Sequence, residues 1–156
     1  MAKKTLSEKT IDQICTKLAD FLADTFILYV KTLNYHWNMQ GPNFFMYHKL
    51  LESQYEQMAH ANDEIAERIR MLGRGAPATL ASFLKLTSLK EGKTGLSEEQ
   101  MIHDLAESHE IMVESCHKLI SFTENAEDQG TADLIIEQIR FHAKQAWLLR
   151  SHLVKS

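Results

Sequence analysis

NYHWNMQGPNFFMYHKL, residues 34–50, places two histidines twelve positions apart on either side of Gly41-Pro42. Upstream, Ile11, Ile14, Leu18, Leu22, Thr25, Tyr29 and Leu33 recur at three- and four-residue steps that run on to His36. Residues so spaced share one face of an α-helix, so His36 lies on the inward stripe of a first helix. That helix starts near Ser7, a favourable N-cap, and stops at Gly41-Pro42. Downstream, Asn43 can cap a second helix over roughly 43–72, its face traced by Phe44, His48, Leu51, Tyr55, Met58, Ile65, Ile69 and Leu72 down to Gly73. Two long helices joined at a Gly-Pro break form an antiparallel hairpin with both histidines at its turn end.

The rest of the chain repeats the pattern. Ser97 followed by Glu98, Glu99 and Gln100 reads as a capping box. Met101, Leu105, Met112, Cys116, Leu119 and Thr123 carry the third long helix to about Asn125, and a fourth runs from about Thr131 to Leu153. Between the halves, residues 73–97 form a long crossover with a short amphipathic helix around Ser82–Leu86. The expected fold is all-α: a four-helix bundle with one crossover, the ferritin-like arrangement. It fills a single domain, 1–156, behind a short N-terminal tail at 1–6.

Composition narrows the functions available. A net charge of −4 and a pI near 6.0 oppose a broad phosphate-binding surface. Cys15 and Cys116 fall among apolar neighbours at helical spacing, which predicts buried free thiols in a reducing compartment. No segment approaches the ~20 continuous apolar residues of a membrane span. A soluble, cytoplasmic protein with no membrane partner is expected.

Metal chemistry in a bundle is done by carboxylates and imidazoles on facing helices. With His48 as zero, Glu52, Asp63 and Glu67 fall at about 40°, 60° and 100° around the second helix, on one flank. A solvated charged face explains Glu52 equally well. Asp63 and Glu67 repel slightly at their i,i+4 spacing unless they share a cation. His48 and Asp63 are separated by roughly 22 Å along the helix, too far to bind one ion within one chain. A twofold axis removes the difficulty, because antiparallel packing of two such helices brings the histidine end of one to the carboxylate end of the other. The result is two His/His/Asp/Glu sites suited to iron, zinc, manganese or copper.

The string H-W-x-x-x-G-P-x-F-x-x-x-H (36–48), Tyr55, and D-E-I-A-E-R-I (63–69) resemble the Dps family, the DNA-binding proteins from starved cells or miniferritins. S-F-L-K-L-T (82–87) and T-A-D-L-I through K-Q-A-W-L-L-R (131–150) are similar to its middle and C-terminal segments. The resemblance implies a homo-oligomer, a hollow dodecamer built from twofold dimers. Its inter-subunit ferroxidase sites would oxidise Fe(II) to Fe(III) with hydrogen peroxide or oxygen, store the ferric mineral and protect the cell from oxidative damage. It assigns His36 and His48 as catalytic ligands from one subunit, Asp63 and Glu67 from its mate, and Glu52 as a further acidic ligand; zinc or another divalent metal can substitute for iron. Trp37 either packs beside the site or quenches stray one-electron oxidation.

Other residues have blander readings. Glu114-x-x-His117 has di-iron spacing, but both residues point away from the apolar stripe. His60, His103, His109, His142 and His152 lack a ligand-spaced partner on a buried stripe, and surface or interface positions are expected for each. Trp147 reads as core or subunit packing. Asp128 and Asp133, near the start of the last helix, match a family region that lines pores for incoming iron; the helix macrodipole explains them equally. DNA contact through Lys3, Lys4 and Lys9 is possible but not favoured, since the tail is short and the net charge negative. The rival to the ferroxidase reading is a non-catalytic DNA- or nucleoid-binding shell with a structural or regulatory metal.

Overall fold

The computed structural model describes residues 6–153, in five helices: α1 (Glu8–Asn38), α2 (Phe44–Met71), α3 (Leu80–Leu86), α4 (Glu98–Asn125) and α5 (Gln129–His152). The four long helices form the expected bundle. α1 packs along α2, α4 along α5, and α1 bridges the two hairpins through α4 while also carrying α3. The core is a stack of Ile14, Leu18, Leu28, Leu51, Met58, Ile65, Leu105, Met112 and Ile135, all without solvent exposure. Burying each such side chain stabilises the fold by about 1.5–3 kcal/mol before conformational entropy is subtracted. Among the described residues no helix is long and apolar enough to cross a membrane. Cys15 and Cys116 are buried free thiols, and burial pushes the Cys116 thiol up to about 12.

Local chemistry sets the helix ends. The Ser7 hydroxyl accepts the Thr10 amide, and Ser97 with Gln100 forms the reciprocal capping box. Asn43 makes no side-chain cap for α2; instead its amide donates to the Glu98 carboxylate, 3.1 Å away at the start of α4. Gly41 makes this approach possible, since a Cβ there would lie 2.7 Å from Glu98 Oε2. The Gly-Pro turn is thereby fastened to the second hairpin.

The crossover is held by buried polar anchors. Asp24 of α1 accepts the Ser88 amide at 2.6 Å and both the Ser88 and Thr87 hydroxyls, while Phe83 of α3 stacks on Phe26. Lys31, almost fully buried, donates to Asp104 and Ser108 of α4, and the Tyr35 hydroxyl donates to the same Asp104. Each charge is thus paired where desolvation would otherwise be costly.

α5 begins two residues earlier than its sequence pattern predicts. Asp128 is the N-cap: its carboxylate accepts the Thr131 amide and hydroxyl, and takes the Arg68 guanidinium of α2 at 2.7 Å. It is buried with those partners, which corrects the expectation that Asp128 lines a pore for iron. Asp133 remains exposed.

Candidate metal centre

α1 and α2 bring His36 and His48 face to face across the Gly-Pro turn. The rings stack with centroids 3.8 Å apart and planes 12° from parallel. His36 Nδ1 lies 2.8 Å from the His48 carbonyl oxygen, and His48 Nδ1 lies 2.9 Å from the His36 carbonyl oxygen. A carbonyl only accepts, so both Nδ1 atoms carry hydrogen and both rings are held as Nε2 lone-pair donors. This is the orientation that a metal-binding imidazole needs, supplied by backbone that the turn itself creates. Phe44 packs on His48 with centroids 4.9 Å apart, and Tyr55 meets His36 edge-on at 5.1 Å. His36 is buried and His48 half-buried, so the pair opens outward at one edge.

Glu52 stands one turn beyond His48. Its carboxylate accepts from Lys49 at 2.7 Å, and that hydrogen bond, with the charge of Lys49, holds the carboxyl below its ordinary range. Asp63 and Glu67 lie further along α2, both exposed, and no single chain brings them to the histidines. Among the described residues no group of three or more His, Cys, Asp or Glu within one chain can hold a metal. The histidine pair and the carboxylate pair thus lie toward opposite ends of α2.

The surface around the histidines is unusually apolar. Trp37 is 68% exposed and Phe45 72%, with Phe44 and Met46 partly exposed beside them, and Met71 stands exposed at the carboxylate end. Trp37 therefore fills no space within its own chain. Trp147 is likewise 63% exposed, so it is no core residue of the single chain. Glu114 and His117 are exposed as expected; Lys9 is exposed in the first turn of α1, and Lys3 and Lys4 lie outside the described residues.

The sequence reading missed one pair. His109 of α4 and His142 of α5 were expected at surface or interface positions, yet both are fully buried within the chain, with Nδ1 atoms 2.9 Å apart. The signal was present in part: His109 is four residues after Leu105 and three before Met112, on the apolar stripe. Its partner, on another helix, left no spacing to read.

A helical bundle with paired imidazoles at a hairpin turn and a carboxylate pair further along the same helix defines a ferritin-like protein. The Ferritin-like domain family matches residues 15–156. The DNA protection during starvation protein 2 of Bacillus anthracis is 33% identical over 141 residues, covering 90% of this chain and 97% of that protein. The structure of Dps from Thermosynechococcus elongatus superposes with a TM-score of 0.92 at 31% identity, covering 95% of this chain and 94% of that one. Dps from Vibrio cholerae O1, described as a member of a broad superfamily of ferritin-like diiron-carboxylate proteins, superposes with a TM-score of 0.92 at 27% identity, covering 99% and 98%. The chain belongs to the Dps family of ferritin-like proteins.

Proposed function

We propose that the chain stores and detoxifies iron, as a ferroxidase whose sites form between subunits. His36 and His48 of one chain, with Glu52, face the partner's Asp63 and Glu67 across a twofold axis, and each dimer completes two sites. The observation that carries this reading is the reciprocal pair of Nδ1–H···O=C bonds. It holds two Nε2 lone pairs ready at the rim of an exposed apolar patch, which burial against a second copy would cover. Iron is the substrate; zinc or another divalent ion fits the same imidazole and carboxylate set.

Carboxylates favour Fe(III) over Fe(II), so the partner's Asp63 and Glu67 lower the cost of oxidation while the imidazoles hold the ion in place. Two Fe(II) supply two electrons to one hydrogen peroxide, giving two Fe(III) and two hydroxide ions. Paired delivery avoids the one-electron cleavage that releases hydroxyl radical. Twofold dimers assembled into a hollow dodecamer would enclose the ferric product. Exposed Asp133 remains a candidate for guiding incoming iron. The non-catalytic DNA-binding shell is not favoured, because the chain carries a net charge of −4.

The test is anaerobic Fe(II) loading followed by hydrogen peroxide, reading ferric absorbance and the iron that co-elutes with protein. About one peroxide consumed per two irons, with soluble iron retained, supports the reading. Traces from His48→Ala and Asp63→Ala identical to the native trace would reject it.

A further inference from the structure

The bundle interior holds a pair of ionisable groups that the metal centre does not use. His109 and His142 are wholly buried, 33 residues apart in sequence, on the facing stripes of α4 and α5. Their Nδ1 atoms share a 2.9 Å hydrogen bond, and among the described residues neither Nε2 has a partner. One ring must donate Nδ1–H and the other accept with its Nδ1 lone pair, so two neutral rings hold opposite tautomers. The donor ring ends in a bare Nε2 lone pair and the acceptor ring in an Nε2–H, both inside the core.

Aromatic rings pack on them. Phe21 of α1 meets His142 edge-on with centroids 6.4 Å apart, and Phe141 of α5 packs against both rings. On α4, Glu110 next to His109 turns outward into a bidentate pair with Arg150. On α2, buried Gln54 hydrogen-bonds Gln145 of α5. Among the described residues, burial alone depresses His109, and the one ionisable group acting on His142 is His109. Two neutral imidazoles with no carboxylate beside them also make a poor home for a divalent ion.

We propose that the His109–His142 pair makes the α4–α5 seam acid-labile: the closed core accommodates the pair only when neutral, and proton uptake opens it. Burial holds His109 down to about 3 and depresses His142 as well, the neighbouring ring adding to the second effect. In the open chain both imidazoles titrate near 6.5. The unfolded state therefore binds more protons than the native state at any pH between these values, so stability rises with pH there. The stability is fully present above about pH 6.5 and is lost as pH falls below it. Two protons make the opening constant rise by about 10-fold per pH unit near pH 6.5, approaching about 100-fold per unit below pH 5.5.

The experiment compares urea unfolding of the assembled native protein with that of His109→Phe/His142→Leu, stepwise from about pH 7.5 to 4.5. The native opening constant should climb about 100-fold more per pH unit than that of the variant below about pH 5.5. Parallel curves overturn the proposal. A second readout on the native chain alone is histidine 15N spectra at about pH 5.5, so a variant that fails to fold leaves the question decidable. Two rings that remain neutral, one of each tautomer, while amide exchange along α4 and α5 accelerates support it. Imidazolium signals from this pair in the folded protein, or loss of the neutral signals on zinc addition, reject it.

Discussion

Two pairs of histidines occupy this bundle, each at the meeting of two antiparallel helices, and their environments give them opposite chemistry. At the turn between α1 and α2, each Nδ1–H is absorbed by the other residue's backbone carbonyl, leaving both Nε2 lone pairs available at a half-open edge. Between α4 and α5, the Nδ1 atoms satisfy each other and both Nε2 atoms are stranded among aromatic rings. The first pair is fixed by backbone and left open for a ligand. The second has no carbonyl to fix it and no solvent to reach it, so it acts on stability. Closeness of two imidazoles therefore says little until the acceptor of each Nδ1 and the access of each Nε2 are known.

Single substitutions should separate the two pairs, in the order of their expected effects. His48→Ala removes a proposed ligand and also the donor to the His36 carbonyl, and metal affinity should fall by about 100-fold or more, with iron oxidation reduced to the rate in buffer. Its melting temperature should stay near the native value. His142→Ala should do the reverse. It opens a core cavity and strands the His109 Nδ1, costing about 3 kcal/mol in urea unfolding while ligand affinity at the turn is retained. A variant in which both properties fall together would erase the distinction.

Smaller changes sharpen it. Asp128→Ala removes the α5 cap and leaves the Arg68 guanidinium of α2 without its buried partner, for a loss of about 2 kcal/mol by thermal unfolding. Since Arg68 follows Glu67 directly, iron oxidation should be more sensitive here than at other capping positions such as Ser7. Gly41→Ala pushes the Glu98 carboxylate off the Asn43 amide and should cost about 1 kcal/mol, with a measurable rise in the dissociation constant for zinc. Lys49→Ala should leave melting unchanged and move the Glu52 titration, followed by carboxyl NMR, back up toward the ordinary range, because Lys49 is its largest influence.

Much of this molecule was legible in the chain. The three- and four-residue spacing of apolar positions, with Ser7, Gly41-Pro42 and Ser97 as stops and starts, determined four long helices and a crossover. The 12-residue separation of His36 and His48 around a break placed both imidazoles at one end of a hairpin. Helix rise alone separated Asp63 from His48 by roughly 22 Å, and Glu67 by more, which is why the site reading needs a second chain. These are properties of a single helix or a single turn, and a local period suffices to express them.

Other properties were decided only by packing. Asp128 carried the signature of an acidic helix start, yet whether its carboxylate faced water or Arg68 depended on how α2 passes the foot of α5. His109 sat on an apolar stripe, but its partner is 33 residues away on another helix, and no spacing in one strand of text encodes a contact across the seam. The tautomers of both pairs likewise follow from which atom faces each ring nitrogen. Periodicity tells which face of a helix turns inward; only the tertiary structure tells what waits there, because desolvation and hydrogen bonding depend on the neighbour that arrives.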